Sequence, residues 1–155
     1  MTSDKPDNLS DPVVQEPSSR AAPLGPRGRR AVLDASALLA LLFAEPGAET
    51  VADVIADGAV MSSVNLSEVA TLLVRHGQDP SKTLLPVLEQ VSVEAFTVDD
   101  ALAAAALSPR TAPNGLSLAD RACLALAKRL NAPAVTADRA WSQLDINVAV
   151  HLIRS

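Results

Sequence analysis

The sequence predicts an α/β fold, a three-layer sandwich in which helices flank a mostly parallel central sheet. Two observations support this prediction. Short apolar segments rich in β-branched residues alternate along the chain with longer segments of helical periodicity, which favours parallel strands joined by helical crossovers. The 155 residues are 48% hydrophobic but only 2% aromatic, so we expect one aliphatic core of Ala, Leu and Val.

Local signals predict each element of the sheet and of its helical layers. Strands are predicted where apolar and β-branched residues cluster, over 30–34, 59–63, 91–98, 133–136 and 147–152. Helices are predicted between breaks such as Gly58, Gly77 and Pro109, over 36–43, 48–57, 65–76, 80–90, 99–107 and 117–130. In the last helix, Leu118 and the apolar run 122–127 are expected to be buried.

The first 30 residues are expected to form a disordered tail, and residues 31–155 a single domain. The tail contains five of the 11 prolines and has neither a helical nor a strand period. Such a segment buries too little apolar surface to offset the entropy of ordering its chain. No apolar run resembles a secretion signal or a membrane span. We therefore expect a cytoplasmic protein with no membrane partner.

Composition excludes several kinds of functional site. The single cysteine, Cys123, cannot form an internal disulfide or a cysteine-based zinc site. Two histidines, His76 and His151, leave little scope for histidine-centred catalysis. The net charge of −5 excludes a protein that holds nucleic acid on a general basic surface. It is compatible with a nucleic-acid enzyme whose positive charge comes from metal ions.

Four acids lie where a parallel sheet binds its ligands, beyond the carboxyl ends of the strands. Asp34 ends the first predicted strand, and Asp138 follows the fourth. Glu68 and Asp120 lie in the first turns of predicted helices. Four neighbouring carboxylates need a cation, and Mg²⁺ or Mn²⁺ prefers oxygen ligands. Such a site is suited to the hydrolysis of phosphodiester bonds.

Each of these acids also has a purely structural interpretation. Asn65 with Glu68, and Ser117 with Asp120, have the spacing of a capping box at a helix start. Asp138 would cap the short segment 138–141, and Asp34 would separate strand from helix. For any single acid both interpretations stay open, and only the combination at one edge favours a site.

Four motifs resemble those of the PIN-domain ribonucleases, and in particular the VapC-type toxins of type II toxin–antitoxin systems. In order they are VLDASALLALL (32–42), SSVNLSEVATLL (62–73), GLSLADRACLALAKRLNAPAVTAD (115–138) and TADRAW (136–141). The resemblance covers residues 31–155. It implies a metal-dependent endoribonuclease that cleaves single-stranded or loop RNA. It also implies that Mg²⁺ or Mn²⁺ is held by an acidic quartet, Asp34, Glu68, Asp120 and Asp138.

The resemblance has further implications for neighbouring residues and for partners. Ser36 and Thr136 would help to position metal, water or phosphate. The cognate VapB-type antitoxin would silence the toxin, and the toxin itself would be a homodimer. The few basic residues that would contact RNA are Arg75, Arg121, Lys128, Arg129 and Arg139, together with the tail arginines Arg27, Arg29 and Arg30. Because Arg121 and Arg139 directly follow quartet acids, neutralisation of those acids is their alternative role.

Other functions fit the sequence less well. An aspartyl-phosphate phosphatase needs a second acid two residues after Asp34, where Ser36 stands. A phosphoacceptor receiver domain needs a late lysine, and no lysine follows Lys128. The alternative that stays open is a PIN-fold protein without a toxin role, either a housekeeping nuclease or a catalytically inactive binding module.

Overall fold

A computed structural model describes residues 30–155 and confirms the three-layer α/β fold. Its strands are β1 (Ala31–Leu33), β2 (Ala59–Ser62), β3 (Val91–Glu94), β4 (Ala134–Thr136) and β5 (Val150–Leu152). They form a five-stranded sheet in the order β3-β2-β1-β4-β5, and every neighbouring pair is parallel. The predicted tail, apart from Arg30, lies outside the described residues.

Helices connect these strands and cover the sheet. The α-helices are α1 (Ala35–Leu42), α2 (Ala48–Asp57), α3 (Ser63–Arg75), α4 (Pro80–Leu88), α5 (Val98–Thr111) and α6 (Leu118–Leu130). Two 3₁₀-helices follow α5 and β4, at Ala112–Asn114 and Arg139–Gln143. In the part of the chain that the structure describes, no helix is long and apolar enough to cross a membrane.

The sheet buries an aliphatic core on each face. Ala31 and Leu33 of β1 belong to the core formed with α1–α4, whereas Val32 belongs to the core formed with α6 and Trp141. Residues 122–127 of α6 are buried as predicted. The prediction for Leu118 is wrong, because its side chain is 53% exposed. Ser117 is also exposed, whereas Ala119 and Asp120 are partly buried.

All five strands are shorter than predicted, and β3 and β5 lose three or more residues because their partners are short. Each of the four residues of β2 pairs with one residue of Val91–Glu94, so the predicted continuation of β3 to residue 98 has no partner. Likewise β5 pairs with the three residues of β4 and begins at Val150 rather than at residue 147.

Two helices extend beyond their predicted bounds by two or more residues. Helix α3 begins at Ser63, because the Ser62 hydroxyl caps it by accepting a hydrogen bond from the Val64 N–H at 3.2 Å. Helix α5 continues past Pro109 to Thr111. Leu107 and Thr111 are buried on either side of the exposed proline, and the Thr111 hydroxyl donates to the Leu107 carbonyl at 2.9 Å. Tertiary packing thus outweighs the break that proline favours.

Candidate active site

The carboxyl ends of β1 and β4 lie side by side where the winding of the sheet changes direction. Strand β1 has β2 on one side and β4 on the other. The Asp34 N–H donates to the Val135 carbonyl at 2.9 Å, so the residue that follows β1 stays attached to β4. In open parallel sheets the ligand crevice forms at this position. The predicted site residues Asp34, Ser36 and Thr136 meet here.

Asp34 is buried, with 2% of its surface exposed. Its Oδ2 atom accepts hydrogen bonds from the Ser36 hydroxyl at 2.7 Å and the Thr136 hydroxyl at 3.0 Å. Its Oδ1 atom accepts one from the Asn65 amide at 3.3 Å. Burial raises the pKa of Asp34 to about 6; the Ser36 hydrogen bond opposes this rise, and the charge of Asp120 adds to it.

The two hydroxyls beside Asp34 are themselves oriented by the backbone after β4. The Ala137 N–H donates to Ser36 Oγ at 3.0 Å, and the Asp138 N–H donates to Thr136 Oγ1 at 3.1 Å. Because each hydroxyl oxygen accepts from the backbone, its own proton is available for Asp34. The hydroxyls therefore fix the orientation of the Asp34 carboxylate.

Asp120 and Asp138 each use one carboxylate oxygen as a helix cap. The predicted capping box is confirmed: Asp120 Oδ2 accepts from the Ser117 N–H at 2.8 Å, and Ser117 Oγ accepts from the Asp120 N–H at 3.2 Å. The predicted cap by Asp138 is also confirmed, since its Oδ1 accepts from the Ala140 N–H at 2.9 Å. The remaining oxygen of each side chain has no hydrogen bond to residues 30–155.

Glu68 does not cap its helix, so the capping box predicted for Asn65 and Glu68 is wrong. Because α3 begins at Ser63, Glu68 lies in its second turn rather than its first. Its carboxylate forms no hydrogen bond with the described residues. Partial burial raises the pKa of Glu68, and the charges of Asp34 and Asp120 raise it further.

The four acids influence one another electrostatically. Burial is the main cause that raises the pKa of Asp120, and the charge of Asp138 adds to it against the opposing hydrogen bonds from Ser117. Together with the effects on Asp34 and Glu68, these influences connect all four side chains. We call this group, Asp34, Glu68, Asp120 and Asp138, the acidic rim.

Cys123 is buried on α6, as predicted for a core residue. Burial raises the pKa of its thiol, and the charges of Asp34 and Asp120 raise that pKa further.

Within residues 30–155, no basic side chain forms an ion pair with the acidic rim. Arg121 donates to the Ala104 carbonyl at 3.1 Å, and Arg139 donates to the Ser155 backbone oxygen. The alternative prediction, that these two arginines pair with the rim acids and neutralise them, is therefore wrong. Arg129 pairs with Asp100 at 2.9 Å. It lies with Lys128 at the end of α6, about 12 Å or more along the helix from Asp120.

The oxygen-rich donor set of the rim suits a hard divalent cation such as Mg²⁺ or Mn²⁺. As the side chains stand in residues 30–155, no three of Asp, Glu, His or Cys are grouped closely enough to hold one ion. Ligation would therefore need side-chain rotation. Glu68, which no hydrogen bond to the described residues restrains, can rotate most easily.

Comparison with known proteins identifies the family. The family model described as PIN domain matches residues 31–147. This chain belongs to the PIN-domain family. The resemblance predicted from the four motifs is thereby confirmed at the level of the domain. No curated protein sequence gives a significant match.

Solved structures share the PIN fold of this chain at low sequence identity. VapBC2 from Rickettsia felis, bound to a DNA fragment from its promoter, has a TM-score of 0.65 at 15% identity, covering 79% of this chain and 97% of the other. A toxin–antitoxin complex from Klebsiella pneumoniae has a TM-score of 0.63 at 18% identity, covering 81% and 98%. VapC20 from Mycobacterium tuberculosis, a toxin that cleaves the sarcin–ricin loop, has a TM-score of 0.60 at 22% identity, covering 72% and 92%.

The sequence interpretation missed Asn65 as a site residue. It assigned Asn65 to the helix cap, whereas the side chain is fully buried and contacts Asp34. Its spacing offered a signal, because a polar residue three positions before Glu68 lies on the same helix face.

Proposed function

We propose that this protein is a metal-dependent endoribonuclease that acts as the toxin of a toxin–antitoxin pair. The acidic rim is the observation that carries the proposal. Three of its carboxylates have raised pKa values, and no basic side chain among residues 30–155 pairs with any of the four. A cluster of this kind is stabilised by a cation, and phosphodiester hydrolysis is the chemistry that such a cation supports.

Each member of the rim has an assigned role in this proposal. Asp34, Glu68, Asp120 and Asp138 would hold Mg²⁺ or Mn²⁺, which when bound polarises the phosphodiester and activates a water molecule. Ser36 and Thr136 keep the Asp34 carboxylate in one orientation through their hydrogen bonds to Oδ2. The capping box keeps Asp120 at the start of α6. We expect hydrolysis to leave a 5′-phosphate on one product.

A groove beside the rim offers a path for a single RNA strand. It encloses about 420 Å³ and is lined by Leu39, Ser67, Glu68, Thr71, Leu72 and Arg75. Glu68 and Arg75 are seven residues apart on α3, so they lie on the same face of the helix, about 10 Å apart along its axis. We therefore propose that Arg75 contacts a backbone phosphate near the one that is cleaved. Arg121 and Arg139 are proposed as weaker contacts because backbone oxygens already engage them.

The toxin role is proposed from the structural relatives. One of those described above is a toxin–antitoxin complex, another is VapBC2, and VapC20 is a toxin that cleaves the sarcin–ricin loop. By analogy, this chain would form a homodimer and bind a VapB-type antitoxin. A basic antitoxin side chain placed in the rim would neutralise it and block cation binding. The toxin would act on its RNA substrate in the cytoplasm. The alternatives are a housekeeping nuclease and a catalytically inactive PIN module.

The nuclease is tested with the purified full-length chain, a structured RNA and added Mg²⁺ or Mn²⁺. Wild type should cut the RNA, chelation with EDTA should stop cleavage, and Asp120→Asn should abolish it because one rim charge is lost. Asp99→Asn is the matched control, since Asp99 also lies in the first turn of a helix but outside the rim. Equal cleavage by wild type and Asp120→Asn would contradict the proposed site.

The toxin role is tested separately by induced expression of the same variants in bacteria. Wild type and Asp99→Asn should arrest growth and produce discrete RNA fragments, whereas Asp120→Asn should do neither. Cleavage in vitro without growth arrest would favour the housekeeping nuclease. A folded wild type that neither cleaves RNA nor arrests growth would favour the inactive binding module.

A further inference from the structure

One uncharged side chain, Asn65, connects the elements that carry three of the rim acids. It lies in the first turn of α3, three residues before Glu68. Its Nδ2 atom donates to Asp34 Oδ1 at 3.3 Å and to the Ala119 carbonyl at 3.0 Å. Ala119 directly precedes Asp120 in the first turn of α6. The Asn65 amide therefore joins the end of β1, α3 and the start of α6.

The orientation of this amide follows from its neighbours. A backbone carbonyl only accepts hydrogen bonds, so the amide must present its NH₂ group rather than its oxygen to Ala119. The two protons of that group then serve Ala119 and Asp34. Asn65 Oδ1, in contrast, is buried and has no partner among residues 30–155.

Space filling alone does not explain an asparagine at this position. The residue is 0% exposed, and an apolar side chain would occupy the space without an unpaired buried oxygen. The two donated hydrogen bonds are what asparagine adds. Both reach residues at the rim, one to an acid itself and one to the residue next to an acid.

We propose that Asn65 is a positioning residue, which holds the Asp34 carboxylate and the first turn of α6 in register so that the rim acids face one cation. This inference rests on the proposed function for the identity of the reaction. Removal of the donors should leave Asp34 Oδ1 and the Ala119 carbonyl without this shared partner. The rim oxygens would then be less well ordered for ligation.

The experiment compares Asn65→Leu, Asn65→Ala and wild type as full-length chains. Leucine keeps the branching at Cγ, with a somewhat larger volume, and removes both donors, whereas alanine removes the donors and most of the side chain. Ile55→Val is the control for core damage, because it removes one buried methyl group near the start of β2, at the end of the sheet away from the rim. Calorimetric titration with MnCl₂ alone measures ion binding, and cleavage kinetics at saturating Mn²⁺ give kcat and KM.

A positioning role predicts that Asn65→Leu and Asn65→Ala weaken Mn²⁺ binding similarly, by roughly 10- to 100-fold, and lower kcat more than they change KM. Ile55→Val should match wild type in both measurements. A packing role predicts instead that Asn65→Leu behaves as wild type and only Asn65→Ala is impaired. That result, or Mn²⁺ binding unchanged in both variants, would overturn the proposal.

The same data separate this proposal from the nuclease proposal. If wild type binds Mn²⁺ through an Asn65-dependent rim but leaves RNA intact, the positioning role stands and the ribonuclease assignment fails. If wild type cleaves RNA and Asn65→Leu cleaves it equally well, the ribonuclease stands and the positioning role fails. A wild type that binds no Mn²⁺ overturns both.

Discussion

At the scale of single residues, Asp34 illustrates a conflict between stability and function. Its carboxylate is buried beside other acids, and three side chains donate hydrogen bonds to it. Those hydrogen bonds orient the carboxylate but do not offset the loss of hydration, so its pKa rises from 3.8 to about 6. In the absence of a cation, ionised Asp34 therefore opposes folding.

Asp34→Asn tests this effect on stability. Because the pKa of Asp34 is higher in the folded state, protonated Asp34 favours folding below pH 3.8, and this contribution is lost as the pH rises through about 6. Relative to Asp34→Asn, wild type without metal should lose up to about 3 kcal/mol of unfolding free energy between low and neutral pH. Urea unfolding in EDTA, followed by fluorescence of the buried Trp141, measures the difference. A difference that is constant with pH would contradict the prediction.

At the scale of elements, the first turn of α6 serves both the helix and the rim. Its capping box satisfies backbone N–H groups that a helix start leaves unpaired, and it also orients Asp120. Helix α5 has a second capping box formed by Thr97 and Asp100, and this one lies outside the rim. Residues 30–155 thus contain two similar caps, of which only one includes a proposed catalytic acid.

Ser117→Ala and Thr97→Ala form a matched pair for this comparison. Each should lower the unfolding free energy by about 1 kcal/mol, because each removes the side-chain acceptor of a helix cap. Only Ser117→Ala should also reduce kcat, by roughly 10-fold, since it removes a partner of a proposed cation ligand. Thermal unfolding and RNA cleavage kinetics provide the two measurements. Equal loss of activity in both variants would contradict this prediction, because the Thr97 cap lies outside the rim and the loss would then come from lower stability alone.

At the scale of the whole molecule, the net charge of −5 works against RNA binding. The site is itself acidic, and the basic end of α6 lies away from it, with Arg129 paired to Asp100 and Glu94. Under the proposed function, RNA binding would therefore depend on a bound cation and on a small number of well-placed basic residues. Arg75 is the basic residue that lines the groove beside Glu68.

Arg75→Gln should therefore raise the KM for RNA while kcat changes little. Loss of one exposed phosphate contact is worth about 1 kcal/mol, which is roughly fivefold in KM. Lys82→Gln removes the same charge from exposed α4, outside the groove, and should leave KM near the wild-type value. Initial rates over a range of RNA concentrations give the KM of each variant. An equal increase in both variants would mean that total charge, not the groove, governs binding.

Much of the fold was predictable because its signals are local. Strand positions, the helix breaks at glycine, and the caps by Ser117 and Asp138 depend on neighbouring residues in the chain. Strand ends and the continuation of α5 past Pro109 were not predictable. They depend on the length of a partner strand and on packing between helices, which involve residues distant in sequence.

The sequence by itself determined the class of fold, the family motifs and the four acids proposed as the site. Only the tertiary structure decided how those acids are held. Asp34 is buried and accepts hydrogen bonds from two hydroxyls, Asn65 donates to Asp34 instead of capping its helix, and Arg121 donates to a backbone carbonyl. The physical reason is that residue type and spacing specify which groups are available. Burial, hydrogen-bond partners and the resulting pKa values arise only when separate segments pack together.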